Sequence, residues 1–346
     1  MTLDAAQAAV LDRGPPQLLL FLGDEVESGY AKTAFGLRDW ASPRCVGELT
    51  LAGAAVTTGL PVLSVTEAYA RGARALAIGV ATRGGMIPDN WMPTLLAALD
   101  AGLDIISGMH ARLSNLPELV AKANQLGRQL IDVRVPPAGI AVGTGVRRPG
   151  WRVLTVGTDC ALGKKYAALA ITRGLQARGR DVTFRATGQT GIMLSGSGIP
   201  IDAVVADFVA GAAEALSPAA APAHIDVIEG QGSIFHPSYA AVSLGLLHGS
   251  QPDRFVVCHQ PGRTTMLGMT GFALPTIETV IAQTIALGRL TNPDIACGGV
   301  CLNTAALDPS MALAELERTS QKLGLPCADP LRGGAEFELL LDACAG

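Results

Sequence analysis

Charge is scarce in this sequence: Asp, Glu, Lys and Arg together make up only 16% of 346 residues, and aromatic residues only 4%. The formal net charge is -4 and no basic run occurs, which removes the electrostatic reason to expect nucleic acid or an anionic membrane as a partner. Long apolar runs are missing too. Gly, Pro or a charged residue interrupts every stretch before the roughly 20 residues that a membrane-spanning helix needs. The segment MTLDAAQAAVLDRG at the start carries acidic residues and lacks the charged-then-apolar order of a secretory signal, so a cytoplasmic protein is expected. Cysteines number seven, odd and scattered without a CxxC pair, and only Cys297 and Cys301 are close; they read as reduced thiols, with no metal site expected. Lysine is the rarest charge. The chain has five lysines, at 32, 122, 164, 165 and 322, and two of them are adjacent.

What is present is 49% hydrophobic residues with abundant Ala and Gly, a balance that suits closely packed α/β layers. Apolar runs at QLLLFL (17–22), LPVLSV (60–65), ALAIGVA (75–81), LDIIS (103–107) and QLIDVRV (129–135) read as strands. Helical periodicity in WMPTLLAALDAG and LPELVAKANQLG separates some of them, each closing on glycine. The segment PPAGIAVGTGVRRPG (136–150) breaks the pattern as a domain boundary does. A second series follows, with strands expected at WRVLTV, DVTFRAT, DAVVAD, IDVIEG, RFVVCHQ and IACGGVCLN, and with SPAAAPA (217–223) expected as a mobile loop. The expected architecture is α/β with two doubly wound, mostly parallel sheets, one domain over 1–140 and another over 141–346. A chain of this size and composition is also expected to form a homo-oligomer.

The adjacent lysines close the stretch VGTDCALGKK, after an apolar strand and at the start of a helix. That is where unpaired helix N–H groups cradle an anion. Gly157, Thr158, Asp159, Cys160, Ala161, Leu162, Gly163, Lys164 and Lys165 form the expected phosphate loop, with Gly157 for the turn, Gly163 for close approach and Lys164 across the phosphates. Five residues separate the two glycines, one more than in the common G-x4-G-K loop, and the stretch resembles the GTDxxxGK loop of dethiobiotin synthetase. Where the common loop has a Ser or Thr to hold magnesium, this one has Lys165. The loop therefore suits holding a phosphate more than cleaving one, since phosphoryl transfer depends on metal. A pyrophosphate that serves only as a handle, as in coenzyme A, needs no magnesium.

With that loop, the segments AIGVATRGGMIP, LDIISGMHARLSNLPEL, RATGQTGIM, DFVAGAAE, IEGQGSIFHPSY and HQPGRTTMLG resemble, over nearly the whole chain, a family once known only as a domain of unknown function and now associated with D-glutamate N-acetyltransferases. The resemblance implies a Rossmann-like N-terminal domain, a P-loop C-terminal domain and acetyl transfer from acetyl-CoA to the amine of a D-amino acid, D-glutamate foremost. Such transfer needs a general base, for which Glu229 and His236 lead and Asp207, with Asp202, stands in reserve. It needs oxyanion donors, which the backbones of 188–191 and 230–233 could supply, helped by Gln189, Thr190, Gln231 or Ser233. An acidic amino acid also calls for cations, and Arg185 and Arg263 fall where strands finish. Arg83 and His110 occupy comparable places in the first domain, and Lys32 follows its first strand. A magnesium-ATP enzyme of the dethiobiotin-synthetase type is the alternative, with Asp159 and Glu229 as metal ligands; a nucleotide-sensing scaffold is a third reading.

Overall fold

The computed structural model describes residues 16–346, apart from the side chain of Arg83, and the chain divides into two compact units. One runs up to Pro137 and takes in Gln189–Pro200; the other comprises Ala138–Gly188 and Ile201–Gly346. The N-terminal stretch read for a secretory signal lies outside the described residues.

The first unit is built on a parallel sheet of order β2-β1-β3-β4-β5, with β1 Leu18–Gly23, β2 Cys45–Thr50, β3 Ala75–Ile78, β4 Asp104–Ser107 and β5 Leu130–Asp132. Its helices are α1 Lys32–Trp40, α2 Val65–Ala70, α3 Met92–Asp100 and α4 Pro117–Leu126. Strands β1 and β3 are buried throughout, which is why they read as unbroken apolar runs: a central parallel strand is covered on both faces.

The second unit carries a six-stranded sheet, again all parallel, of order β11-β10-β9-β6-β8-β7. Its strands are β6 Trp151–Gly157, β7 Val182–Arg185, β8 Ile225–Ile228, β9 Arg254–His259, β10 Ala296–Leu302 and β11 Cys327–Ala328. Helix α5 spans Lys164–Ala177, and the short α6, Gln189–Ser195, is the piece that belongs to the first unit. There Met193 joins the buried cluster that contains Leu19, Phe21 and Leu76. The remaining helices are α7 Val209–Leu216, α8 Ala240–Ser250, α9 Ile277–Gly288, α10 Pro309–Leu323 and α11 Ala335–Ala345. Among the described residues, no helix is long and apolar enough to cross a membrane.

Three sequence expectations need correction. LPVLSV is not a strand; it contributes one isolated bridge, Glu48 to Val62. Pro61 has no N–H to give a ladder, and Ser64 instead caps α2 in a capping box with Glu67. The strand beside β1 is CVGELT, whose Glu48 is fully buried and satisfied by Thr57 Oγ1 at 2.5 Å, the Thr58 N–H at 2.6 Å and the Thr58 hydroxyl. DAVVAD likewise forms two single turns, Ile201–Ala203 and Ala206–Phe208, with Val205 exposed rather than buried in a sheet. The tract SPAAAPA, read as a loose loop, is anchored at its head: Ser217 is buried and bridges Arg152 and Asp226.

In the second sheet the chain leaves β6 toward β8 and β7, then crosses back to β9, β10 and β11. The carboxyl ends of β6 and β9 therefore flank the topological switch point, where open α/β sheets bind ligands.

Candidate active site

The loop between β6 and α5 is shaped by two left-handed residues, Ala161 at φ 56° and Gly163 at φ 103°. Glycine tolerates that conformation; alanine does so only at a strain cost, which a surrounding structure must impose. Backbone of alternating hand can turn successive N–H groups toward one side. Among the described residues, none accepts a hydrogen bond from the backbone N–H of Ala161, Leu162, Gly163 or Lys164. Unclaimed N–H groups at the start of a 14-residue helix have the form of a backbone anion site.

Lys164 is buried, and its Nζ donates to the carbonyl of Asp159 at 2.7 Å. Burial lowers its ammonium from the usual lysine range and Arg263 adds to this, while Cys160, Cys258 and Asp159 pull the other way. Asp159 is the loop's fastener rather than an open ligand. Its carboxylate is fully buried, accepts the Cys160 N–H at 2.6 Å and the Leu267 N–H at 2.7 Å, and pairs with the Arg263 guanidinium. Arg263 also donates to the Cys160 carbonyl at 3.1 Å. The loop after β9 is thus latched onto the phosphate loop. Beside the latch, Thr158 Oγ1 lies 2.9 Å from His259 Nδ1, and burial lowers the pKa of that imidazole.

Asp159→Ala is expected to cost about 3–5 kcal/mol, because it leaves a largely buried guanidinium and two backbone N–H groups without their acceptor. Urea unfolding checks this; Cys160→Ala, which keeps the backbone contacts, is expected to stay near wild type.

Asp159, Cys160 and His236 also present ligand atoms within 4.8 Å of one another. The donors do not suit a metal, because Asp159 already serves Arg263 and two N–H groups. His236 is equally committed: it is 1% exposed, its Nδ1 accepts the Ser238 N–H at 3.1 Å, and its Nε2 faces Leu267 O at 3.5 Å and Asp159 Oδ1 at 3.9 Å.

Glu229 follows β8 directly. One of its oxygens accepts the N–H groups of Thr187 at 3.0 Å and Gly188 at 3.2 Å. Burial raises its pKa; Lys165 and the two N–H donors oppose that, and Asp202 adds to it. Gly230 must be glycine here, since a Cβ would fall 1.6 Å from the carbonyl oxygen of Thr155 and 3.1 Å from the Lys164 side chain. The strand end bearing Glu229 consequently lies against the lysine of the phosphate loop. Gln231 Nε2 donates to Thr187 Oγ1 at 3.1 Å, which itself donates to the Glu229 carbonyl at 2.7 Å. Ser233 is buried, and its hydroxyl accepts the Phe235 N–H at 3.3 Å.

Arg185 pairs with buried Asp226 at 2.6 Å, so its guanidinium is bound into the network of Ser217 and Arg152. Asp207 and Asp202 are exposed on the turns that replaced the expected strand. In the first unit, Arg83 begins a single helical turn after β3. His110, exposed beyond β4, meets Arg134, a residue that the sequence reading passed over: Arg134 Nη1 lies 3.4 Å from His110 Nε2. Arg134 Nε donates to Gly108 O at 2.9 Å, and Nη2 donates to Gln189 Oε1. Thr190 shares a hydroxyl contact of 3.0 Å with Thr33, next to Lys32. The available signal for Arg134 was its place just past a buried strand, the same signal that singled out Arg83.

Two family models match the chain, a P-loop domain of unknown function (DUF1611_C) over residues 140–340 and a Rossmann-like domain of unknown function (DUF1611_N) over 44–136. A D-glutamate N-acetyltransferase of Pseudoalteromonas sp. is 46% identical over 321 residues, 93% of this chain and 97% of that one. Another, from Tritonibacter scottomollicae, is 46% identical over 327 residues, 94% and 98% of the two chains. The crystal structure of a DUF1611 family protein from Anabaena variabilis superposes with a TM-score of 0.83 at 34% identity, covering 95% of this chain and 98% of that one.

Proposed function

Since the chain belongs to this DUF1611 family and is an acyltransferase enzyme, we propose that it moves the acetyl group of acetyl-CoA to the amine of D-glutamate. The observation that carries this reading is the phosphate loop with Lys165 in place of the metal-holding hydroxyl, acting electrostatically on the carboxylate of Glu229. In a nucleotide hydrolase, a divalent ion stands between such a loop and such an acid. Here the Lys165 ammonium supplies the positive charge, which suits holding the phosphates of coenzyme A without a metal to split them.

The chemistry then falls to the residues around that charge. Glu229, with its pKa raised by burial, accepts a proton from the substrate ammonium. The freed nitrogen attacks the thioester carbonyl, and the C–N bond forms as the carbonyl π electrons move onto oxygen; the oxyanion then collapses, the C–S bond breaks, and the leaving thiolate of coenzyme A takes the second proton from the nitrogen, while Glu229 returns the first to solvent. The N–H groups of Gln231, Gly232 and Ser233, which no described residue accepts, suit the oxyanion that forms between these events. His236 supports the loop on which they lie, through bonds from its own backbone N–H to Ser233 O at 3.0 Å and from the Tyr239 N–H to His236 O at 3.1 Å.

The test is release of free thiol from acetyl-CoA, in the presence of EDTA, across D- and L-amino acids that include both glutamates. Release with D-glutamate that survives EDTA is the expected result. Absence of release with every acceptor, together with magnesium-dependent formation of ADP from ATP, would replace acyl transfer by the ligase type of reaction.

A further inference from the structure

Buried hydroxyl groups hold the loop that follows β8. Thr187 Oγ1 donates to the Glu229 carbonyl at 2.7 Å, and the N–H of Gly230 donates to Thr155 Oγ1 at 2.9 Å. Both threonines are fully buried, so the two ends of the Glu229–Gly230 peptide are fixed. Two peptides further on, the Gln231 carbonyl accepts from the Ser243 hydroxyl at 2.6 Å. Ser243 is a buried residue in the first turn of α8. A serine inside a helix ordinarily returns its hydroxyl to the carbonyl four residues back. Here that contact, to Tyr239 O, is the longer one at 3.0 Å, and the shorter one leaves the helix for the loop.

A trans peptide is planar, and its carbonyl oxygen and its N–H point in opposite directions. With the Gln231 oxygen drawn to Ser243, the Gly232 N–H is turned the other way, and no described residue accepts it. Gly232 lies directly against the start of the helix. Its φ is 60°, and a Cβ there would fall 2.6 Å from Ser243 Oγ and 2.8 Å from Tyr239 O. Without the hydroxyl, a peptide that ends on glycine turns over readily, since glycine accepts either sign of φ. The turned peptide would offer a carbonyl oxygen where the oxyanion needs a donor.

We infer that Ser243 is a positioning residue for acyl transfer: its hydroxyl sets the Gln231–Gly232 peptide so that the Gly232 N–H meets the oxyanion. This role rests on the acyl-transfer reading above and adds to it a side chain that touches no substrate. Its effect falls on the transition state, because the carbonyl of a bound thioester carries far less charge than the oxyanion it becomes.

The experiment compares wild type, Ser243→Ala and Ser243→Thr in thiol release from acetyl-CoA with D-glutamate. Titrations follow with desacetylated coenzyme A and with a coenzyme A thioether ending in a trifluoromethyl ketone, whose hydrate resembles the tetrahedral centre. Ser243→Ala is expected to lower kcat about 100-fold, the usual loss on removing one oxyanion donor, with KM for acetyl-CoA nearly unchanged. It should weaken binding of the ketone by about tenfold or more and leave desacetylated coenzyme A bound as in wild type. Ser243→Thr keeps the hydroxyl and should keep kcat near the wild-type value. In wild type, where no variant has to fold, the Gly232 amide proton should move downfield in nuclear magnetic resonance spectra when the ketone binds. A wild-type kcat in folded Ser243→Ala, an equal loss of affinity for both ligands, or a Gly232 amide that ignores the ketone would overturn the positioning role and leave acyl transfer standing. Absence of thiol release with every acceptor in wild type would overturn the transfer reading itself, and this role with it.

Discussion

Glu229→Gln is expected to lower kcat for acyl transfer by about 10²–10⁴-fold, the usual loss on removing a general base, while making the folded protein more stable at neutral pH. The two effects have one origin. Burial raises the folded pKa of Glu229 above its unfolded value, so ionising it costs more in the native state than in the unfolded chain. Stability linked to this group is complete below the unfolded glutamate value of about 4.3 and is lost as pH rises through the raised folded value. Glutamine accepts the same N–H groups without the buried charge. The melting temperature of Glu229→Gln should match wild type near pH 4 and exceed it increasingly above that, as calorimetry across pH would show. In wild type, kcat/KM should rise with pH through the same raised pKa, and that limb should vanish in the variant. A variant that lost activity without gaining stability at pH 7 would assign Glu229 to loop organisation, through its bonds to Thr187 and Gly188.

Lys164→Ala is expected to weaken binding of coenzyme A by about 10–100-fold, the equivalent of one charge-assisted hydrogen bond of roughly 1.5–3 kcal/mol. Its ammonium is held against the Asp159 carbonyl, and burial lowers its pKa, so an anionic partner favours its charged form at little reorganisation. Isothermal titration with desacetylated coenzyme A in EDTA isolates this term from catalysis. Lys165→Thr is the informative companion. It restores the hydroxyl of a metal-binding loop and removes the charge beside Glu229, so it should weaken coenzyme A binding and make the residual binding respond to added magnesium.

Where one residue type repeats, the sequence spoke plainly. The buried runs of β1, β3 and β6 stood out because parallel strands covered on both faces have no reason to alternate, and the phosphate loop stood out because two of only five lysines close it. What stayed hidden depended on partners far away in the chain. β2 was passed over because it buries Glu48, whose acceptable partners, Thr57 and Thr58, are invisible until the chain turns back. Arg263 read as a cation for a substrate carboxylate and is instead the fastener of Asp159, because sequence reports a charge and not the acid it meets. Arg185 was drawn into the fold by Asp226 in the same way. His236 is accounted for by the packing of its ring, 4.6 Å from Tyr239 and buried.

The return of Gln189–Pro200 to the first unit has a consequence for how the protein is made. A ribosome delivers residues up to 137 first, yet the cluster around Leu19 and Phe21 lacks Met193 until a further stretch, including β6, the phosphate loop and β7, has emerged. The early half must wait, with part of its apolar surface open to water, for a plug encoded inside the later half. Severing the gene at residue 137 is expected to give an N-terminal fragment that lacks Met193 from its cluster and a C-terminal fragment whose segment 189–200 is separated from the unit it belongs to. The two units are therefore coupled in synthesis, since one is completed only by a segment that the other carries.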